Sequence, residues 1–245
     1  MLILGLAGPA RVGKDTVAAY LVRRYGFVKF AFSDALYREV QVAFGLPDQS
    51  LLRDPTTKEA ALDELALVNC YETGFIDLVE DLLLQMSRIT LPEKEIPLSP
   101  RQVLQWWGTE YRRAQDPDYW VKQADAFVWG LKRCYTYPEH QPQLFVECGT
   151  RFENERKWIK GKGDGNIWHI HRDSIKENSS HESAKPLPVL ESERELWNND
   201  TIDRLYGGID LLLSTTAKFV RVEPQMSHEE LCREYAAAHA NSGVT

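Results

Sequence analysis

Apolar residues dominate Leu2–Ala7, broken only by Gly5, a run with the length and character of a strand buried on both faces of a parallel sheet. The apolar spacing from Val17 to Val22 then fits a helix, and Tyr25-Gly26 supplies its stop. Residues 26–32 predict a second strand, and Ser33-Asp34 an N-cap opening a helix to about Phe44. From Gly45 to about Pro97 the pattern is mixed. Helical periodicity returns over residues 57–69 and 74–87, and 91–97 reads as a linker rich in proline and charge. Ser99-Pro100-Arg101-Gln102 sets N-cap, first-turn proline and capping-box glutamine in order, opening a helix to about Arg113. A further helix follows the break at Asp116-Pro117-Asp118. Residues 144–148 predict a third strand, 153–159 a helix and 167–171 a fourth strand. Residues 173–188 are polar and read as a mobile, lid-like loop. Residues 202–213 are helical again, 218–222 a short strand, and Ser227 caps a C-terminal helix. Strands alternating with helices predict an α/β fold: one domain over residues 1–245, with a parallel sheet covered on both faces and a helical insertion over about 46–135.

The connection between the first strand and first helix changes the picture most. Gly8-Pro9-Ala10-Arg11-Val12-Gly13-Lys14-Asp15-Thr16 is a glycine-rich loop ending in Gly-Lys, set between a strand and a helix. In that context backbone N–H groups and the helix dipole converge on an anion, and Lys14 supplies a point charge for terminal phosphates. Gly8 and Gly13 permit backbone angles and a close approach that a Cβ would block. Asp15 stands where a serine or threonine hydroxyl normally meets magnesium, with Thr16 one step later. Either one is a candidate metal ligand.

Composition narrows the class. A formal charge of -7 argues against a long nucleic-acid partner held by a broad basic surface, though not against a small basic pocket. Cys70, Cys134, Cys148 and Cys232 stand far apart, which suits reduced thiols in a cytoplasm better than a disulfide frame or a zinc site. No apolar run approaches membrane-spanning length, so no membrane partner is expected.

Phosphoryl transfer needs further cations, because charge spreads over the transferred group. Arg11 lies within the loop, Arg151 follows the third strand, and Arg172 ends the fourth. Arg101, Gln105 and Gly108 fall three or four apart and share one face of a regular helix. Arginine, amide and aromatic groups there suit a nucleoside monophosphate, while Trp106, Trp107, Tyr111 and Trp120 also fit a core. Asp34 is either a sugar- or water-binding carboxylate or a helix cap. His169 and His171 read as packing or surface residues, and 191–195 as a solvated acidic face.

Taken in order, these motifs resemble the deoxynucleoside monophosphate kinases of tailed bacteriophages. The likeness rests on residues 5–16 with their Lys-Asp-Thr ending, on 30–36, on 99–110, on 118–121, on Arg151-Phe152 with Asn154-Glu155, on His181-Glu182-Ser183 and on Asn199-Asp200. The segment 46–98 is not covered. The resemblance implies a P-loop kinase in a three-layer sandwich, moving the γ-phosphate of ATP to a deoxynucleoside monophosphate with Mg2+. It places Gly8, Ala10, Arg11, Val12, Gly13, Lys14, Asp15 and Thr16 on ATP. Asp34, Arg101, Gln105, Trp106, Gly108, Thr109, Glu110 and Arg113 fall in the acceptor-nucleotide region. Arg151 and Arg172 become phosphate or lid arginines, and a homodimer is compatible with it. One departure stands out: related sequences commonly carry aspartate two residues before the arginine, where this chain has Gly149, and Glu147 is the nearest compensating acid. Competing readings are a kinase of another small acceptor, such as a dephospho-coenzyme A kinase relative, a kinase of a modified base within DNA, and a non-kinase P-loop ATPase.

Overall fold

Leu2–Ala7 forms β1, every residue of it buried, and strands from later in the chain flank it on both sides. The computed structural model describes residues 1–87, 94–134, 143–175 and 187–216. Four further strands, β2 (Val28–Phe30), β3 (Leu144–Thr150), β4 (Asn166–His171) and β5 (Arg194–Trp197), join β1 in one sheet of order β2-β3-β1-β4-β5. All four pairings are parallel, so the carboxyl ends of the strands share one edge. The helices are α1 (Lys14–Tyr25), α2 (Ser33–Ala43), α3 (Ser50–Arg53), α4 (Thr73–Ser87), α5 (Pro100–Gln105), α6 (Tyr119–Arg133), α7 (Glu153–Lys160) and α8 (Ile202–Thr216).

Two compact units divide the chain: residues 1–32 with 125–245, and residues 33–124. In the first, side chains alternate across the sheet. Leu2, Leu4, Leu6, Trp168, Ile170 and Leu196 share a buried core with Val17 and Leu21 of α1 and with Leu205 and Ile209 of α8. On the opposite face α7 packs so closely that a Cβ on Gly5 would sit 2.6 Å from Ile159 Cδ1. Helix, sheet and helix therefore form the three layers of an α/β fold of the P-loop kinase type. Beside this core, Asp210 of α8 accepts hydrogen bonds from Tyr20 and Tyr25 of α1, at 2.8 and 2.7 Å.

The second unit is helical. Its capping box forms as the spacing predicts: Ser99 Oγ accepts from Gln102 N, and Gln102 Oε1 from Ser99 N. Three expectations need correction. Residues 57–69 are not one helix but turns and two short 3₁₀ segments, Asp63–Leu65 and Leu67–Asn69. Leu62 is extended there because its N–H bonds to Leu98 O, a distant partner that local periodicity does not show. The helix opened by Pro100 continues past Gln105 as a π-helix, Trp106–Arg113, with wider turns than the 3.6 spacing assumes. The acidic run 191–195 is only in part a solvated face: Glu191 and Glu195 are exposed. It leads into β5, and Glu193 is buried. The expected strand at 218–222, the C-terminal helix, His181-Glu182-Ser183 and most of the 173–188 loop lie outside the described residues.

Candidate functional site

The loop between β1 and α1 takes the shape its glycines allow. Gly8 and Gly13 adopt φ of 132° and 108°. A Cβ on Gly8 would lie 2.5 Å from Ile170 O, so β4 leaves no room for one. Val12 is buried in the core, which pins the middle of the loop while Ala10 and Arg11 stay exposed. Lys14 opens α1 and arches back across the loop, its Nζ donating to Gly8 O at 2.7 Å and Pro9 O at 2.5 Å.

Burial pulls the Lys14 ammonium down to about 8, and the Arg151 guanidinium nearby adds to the effect. Asp15, Glu147 and Cys148 oppose it. Thus the structure brings Arg151, the residue just past β3, into the electrostatic neighbourhood of Lys14. Glu147 lies within β3, opposite Gly5, and is fully buried. Its carboxyl accepts from Thr150 Oγ1 at 2.5 Å and from Phe32 N at 3.4 Å. Burial, then the Glu155 carboxylate, push it up to about 8, against the pull of those two bonds and of Arg151. Glu155 caps α7 by accepting from the backbone N–H of Arg151 and Phe152, which fixes how Arg151 leaves the strand.

Gly149 has a local explanation. The β1–β3 register slips between Leu6 and Ala7, pairing Leu6 with Cys148 but Ala7 with Thr150, so Gly149 is the extra residue of a bulge. Its φ of 138° strains any side chain, although nothing lies within 4 Å of a Cβ there. The bulge, not crowding, demands glycine.

Asp15 points outward, with its side chain 88% exposed and paired with Lys29 at 2.8 Å. Thr16 is half-buried in the first turn of α1. Among the described residues no three His, Cys, Asp or Glu side chains gather as a metal-binding group. The side-chain oxygens in the first turn of α1 are those of Asp15 and Thr16. So sparse a set fits Mg2+, which leaves most of its positions to phosphate and water oxygens.

Of two asparagines that the motif reading left without a role, one braces the loop and the other the segment just past β4. Asn198, just past β5, donates from Nδ2 to Val12 O at 2.8 Å, and its own N–H bonds to His171 O. Asn199 clasps Asp173 by two bonds, at 2.8 and 2.7 Å. The signal available was an Asn-Asn-Asp run after a short alternating segment. Arg172 lies between these clasps, exposed, on the wall of a cavity of about 450 Å³ that the loop residues Gly8, Pro9 and Val12 also line. Beneath that wall His169 and Glu193 form a buried pair at 2.8 Å, joined by Arg156 at 3.1 Å.

In the second unit several residues expected to hold an acceptor are engaged with other groups of that unit. Asp34 pairs with Arg53 at 3.2 Å, and that guanidinium stands 4.0 Å from the centre of the Tyr37 ring. Arg101 pairs with Glu59. Gln105, Trp106, Thr109 and Glu110 are half-buried, and Arg113 bonds to Pro117 O. Gly108 is buried: its carbonyl accepts from Trp120 Nε1, and a Cβ would lie 3.3 Å from Leu36. The π-helical turn presents Trp107 and Arg112 to a different partner. Both donate to Glu39 Oε2 at 2.9 Å, Tyr119 donates to Oε1, and Arg112 lies against the rings of Trp107, Tyr111 and Tyr119. Glu39 was invisible to the motif reading, since no spacing links residue 39 to residue 112.

No protein-family model matches the chain. Two curated relatives do. The chain is similar to viral deoxynucleotide monophosphate kinases. It is 27% identical over 221 residues to a protein of Acanthamoeba polyphaga mimivirus named "Putative deoxynucleotide monophosphate kinase", a match covering 85% of this chain and 94% of the relative. It is 20% identical over 244 residues to the deoxynucleotide monophosphate kinase of Escherichia phage RB69, covering 87% of this chain and all of the relative. No helix among the described residues is long and apolar enough to cross a membrane.

Proposed function

We propose that the chain transfers the γ-phosphoryl group of ATP to a deoxynucleoside monophosphate, giving the diphosphate and ADP. The gathering of Lys14, Arg151 and the buried Glu147 at a glycine-cornered loop on a helix N-terminus carries this reading. The names of the two viral relatives support the acceptor class. An acceptor phosphate oxygen attacks the γ-phosphorus as the bond to the β-bridging oxygen breaks, and ADP leaves. That oxygen is already anionic, so no general base is required and positioning does most of the work.

Lys14, held in reserve on two carbonyl oxygens, turns to the phosphates, and Arg151 adds a planar guanidinium able to clamp two oxygens. Arg11 and Arg172 are further phosphate cations at the loop and beyond β4. Thr16 and Asp15 are the residues that would hold magnesium, which when bound neutralises charge on the β- and γ-phosphate oxygens. Asp15, paired with Lys29 at 2.8 Å, would have to release that pair to hold the metal. On the acceptor side, Asp34, Arg101, Gln105 and the Gly108-Thr109-Glu110 segment receive the monophosphate, and Arg53 joins them through its pair with Asp34.

The test is ADP formation with ATP and Mg2+ against a panel of deoxynucleoside and ribonucleoside monophosphates, including 5-substituted pyrimidines. ADP is expected only where a deoxynucleoside monophosphate is present. The same ADP rate without any acceptor would instead support a P-loop ATPase.

A further inference from the structure

The cavity beside the phosphate loop has a wall that phosphate binding alone does not need. His171 and Trp197 stand opposite each other in the β4–β5 register, their rings stacked 4.6 Å apart at 26°. Trp197 remains 56% exposed although its strand neighbour Leu196 is buried in the core. The shelf is held from several sides. His171 Nε2 lies 3.0 Å from Glu195 Oε2, and Asn198 N bonds to His171 O. Below them sits the buried His169–Glu193–Arg156 group. Such a half-open ring, rigidly mounted, costs little further order when something flat lies on it.

We infer that the His171–Trp197 shelf receives the nucleobase of the phosphate donor by face stacking and holds purines without reading their edges; this rests on the donor assignment above. Gly8, Pro9 and Val12 form part of the same cavity, so a triphosphate on the loop can continue directly into it. Its volume of about 450 Å³ lies within the range of small-molecule sites, roughly 300–1,000 Å³. Two side-chain groups that could read a base edge are already hydrogen-bonded, His169 to Glu193 and Asp173 to Asn199, and His171 Nε2 stands 3.0 Å from Glu195 Oε2. Arg172 is an exposed cation on this wall. Its guanidinium has no hydrogen-bond or ion-pair partner among the described residues, and a cation there serves phosphate or ribose rather than selecting one base. Stacking tolerates every base, because every base has a π face.

The experiment compares wild type, Trp197→Ala and Trp197→Phe with ATP and GTP as donors at a saturating acceptor. Trp197→Ala is expected to raise the donor KM by about 10–100-fold for both nucleotides, the scale of one lost base–aromatic stack, with acceptor KM and kcat little changed. Trp197→Phe keeps a π face and recovers most of the loss. Calorimetric titration with non-hydrolysable ATP and GTP analogues needs no acceptor. A chain that binds both analogues, and loses both in Trp197→Ala, supports the shelf even if no deoxynucleotide is phosphorylated. An unchanged donor KM in Trp197→Ala, or a wild-type preference for ATP over GTP above about a hundredfold, overturns the inference.

Discussion

Beside the phosphate loop Lys14 and Glu147 are buried ionisable groups without an ion-pair partner of their own among the described residues, whereas the ion pairs Asp34–Arg53 and Arg101–Glu59 of residues 33–124 are largely wet. Lys14 and Glu147 each sit where burial drives the group toward its neutral form, and both are displaced to about 8 from opposite sides. Asp34 with Arg53, and Arg101 with Glu59, are instead near-surface pairs that water screens. The difference shows what each region does before a ligand arrives. On the proposed reading, the buried Lys14 ammonium at the loop is what an arriving phosphate completes. In the second unit Arg53 and Arg101 are already paired with carboxylates, so on the proposed reading an acceptor displaces those pairs in order to bind.

Breaking a buried group should therefore cost far more than breaking a wet pair. Glu193→Ala leaves buried His169 without its carboxylate and Arg156 with Glu153 as its remaining ion pair, and is expected to destabilise the chain by about 3 kcal/mol in a denaturant titration. Lys14→Ala should lower phosphoryl transfer by roughly 10²–10³ or more, the scale of losing one donor to transition-state charge. Near-wild-type turnover in that variant would remove the loop from the phosphate site.

Glu147 sharpens the comparison through pH. Its folded-state value is raised, so the stabilisation it contributes is complete below about pH 4.5 and is lost as pH rises through about 8. Lys14 runs the other way: its folded value is depressed, so its contribution is present above about pH 10.5 and lost as pH falls through about 8. In Glu147→Gln, the fall in unfolding free energy between pH 5 and pH 8 should be smaller than in wild type, and an identical fall would assign the titration to another group. The smallest effect belongs to the wet pair. Arg53→Ala should alter stability by no more than about 1 kcal/mol, while acceptor KM changes because Asp34 loses its partner. A stability loss as large as that of Glu193→Ala would erase the distinction between the two regions.

The same contrast explains what could be read from the chain itself. The phosphate loop was legible because its causes are local: two glycines, a lysine and a helix start lie within nine residues. The capping box at Ser99 was legible for the same reason. Glu193 was misread because its partners His169 and Arg156 arrive from another strand and another helix, and an acidic run looks solvated until they do. The acceptor face was drawn on a 3.6-residue period that ends at Gln105. Past that point the π-helical turns carry Trp107 and Arg112 to Glu39. Gly149 looked like a missing acid, and the register slip at Leu6 shows it to be a backbone requirement.

The bond from Asn198 to Val12 spans 186 positions of sequence. A ribosome that has released the first hundred residues has delivered the whole phosphate motif but not the side chain that braces it. β1 must also wait for β3 and β4, both of which come after residue 143, before it has neighbours. The nascent chain therefore carries its phosphate-loop signature early and can brace it only after residue 198 has emerged.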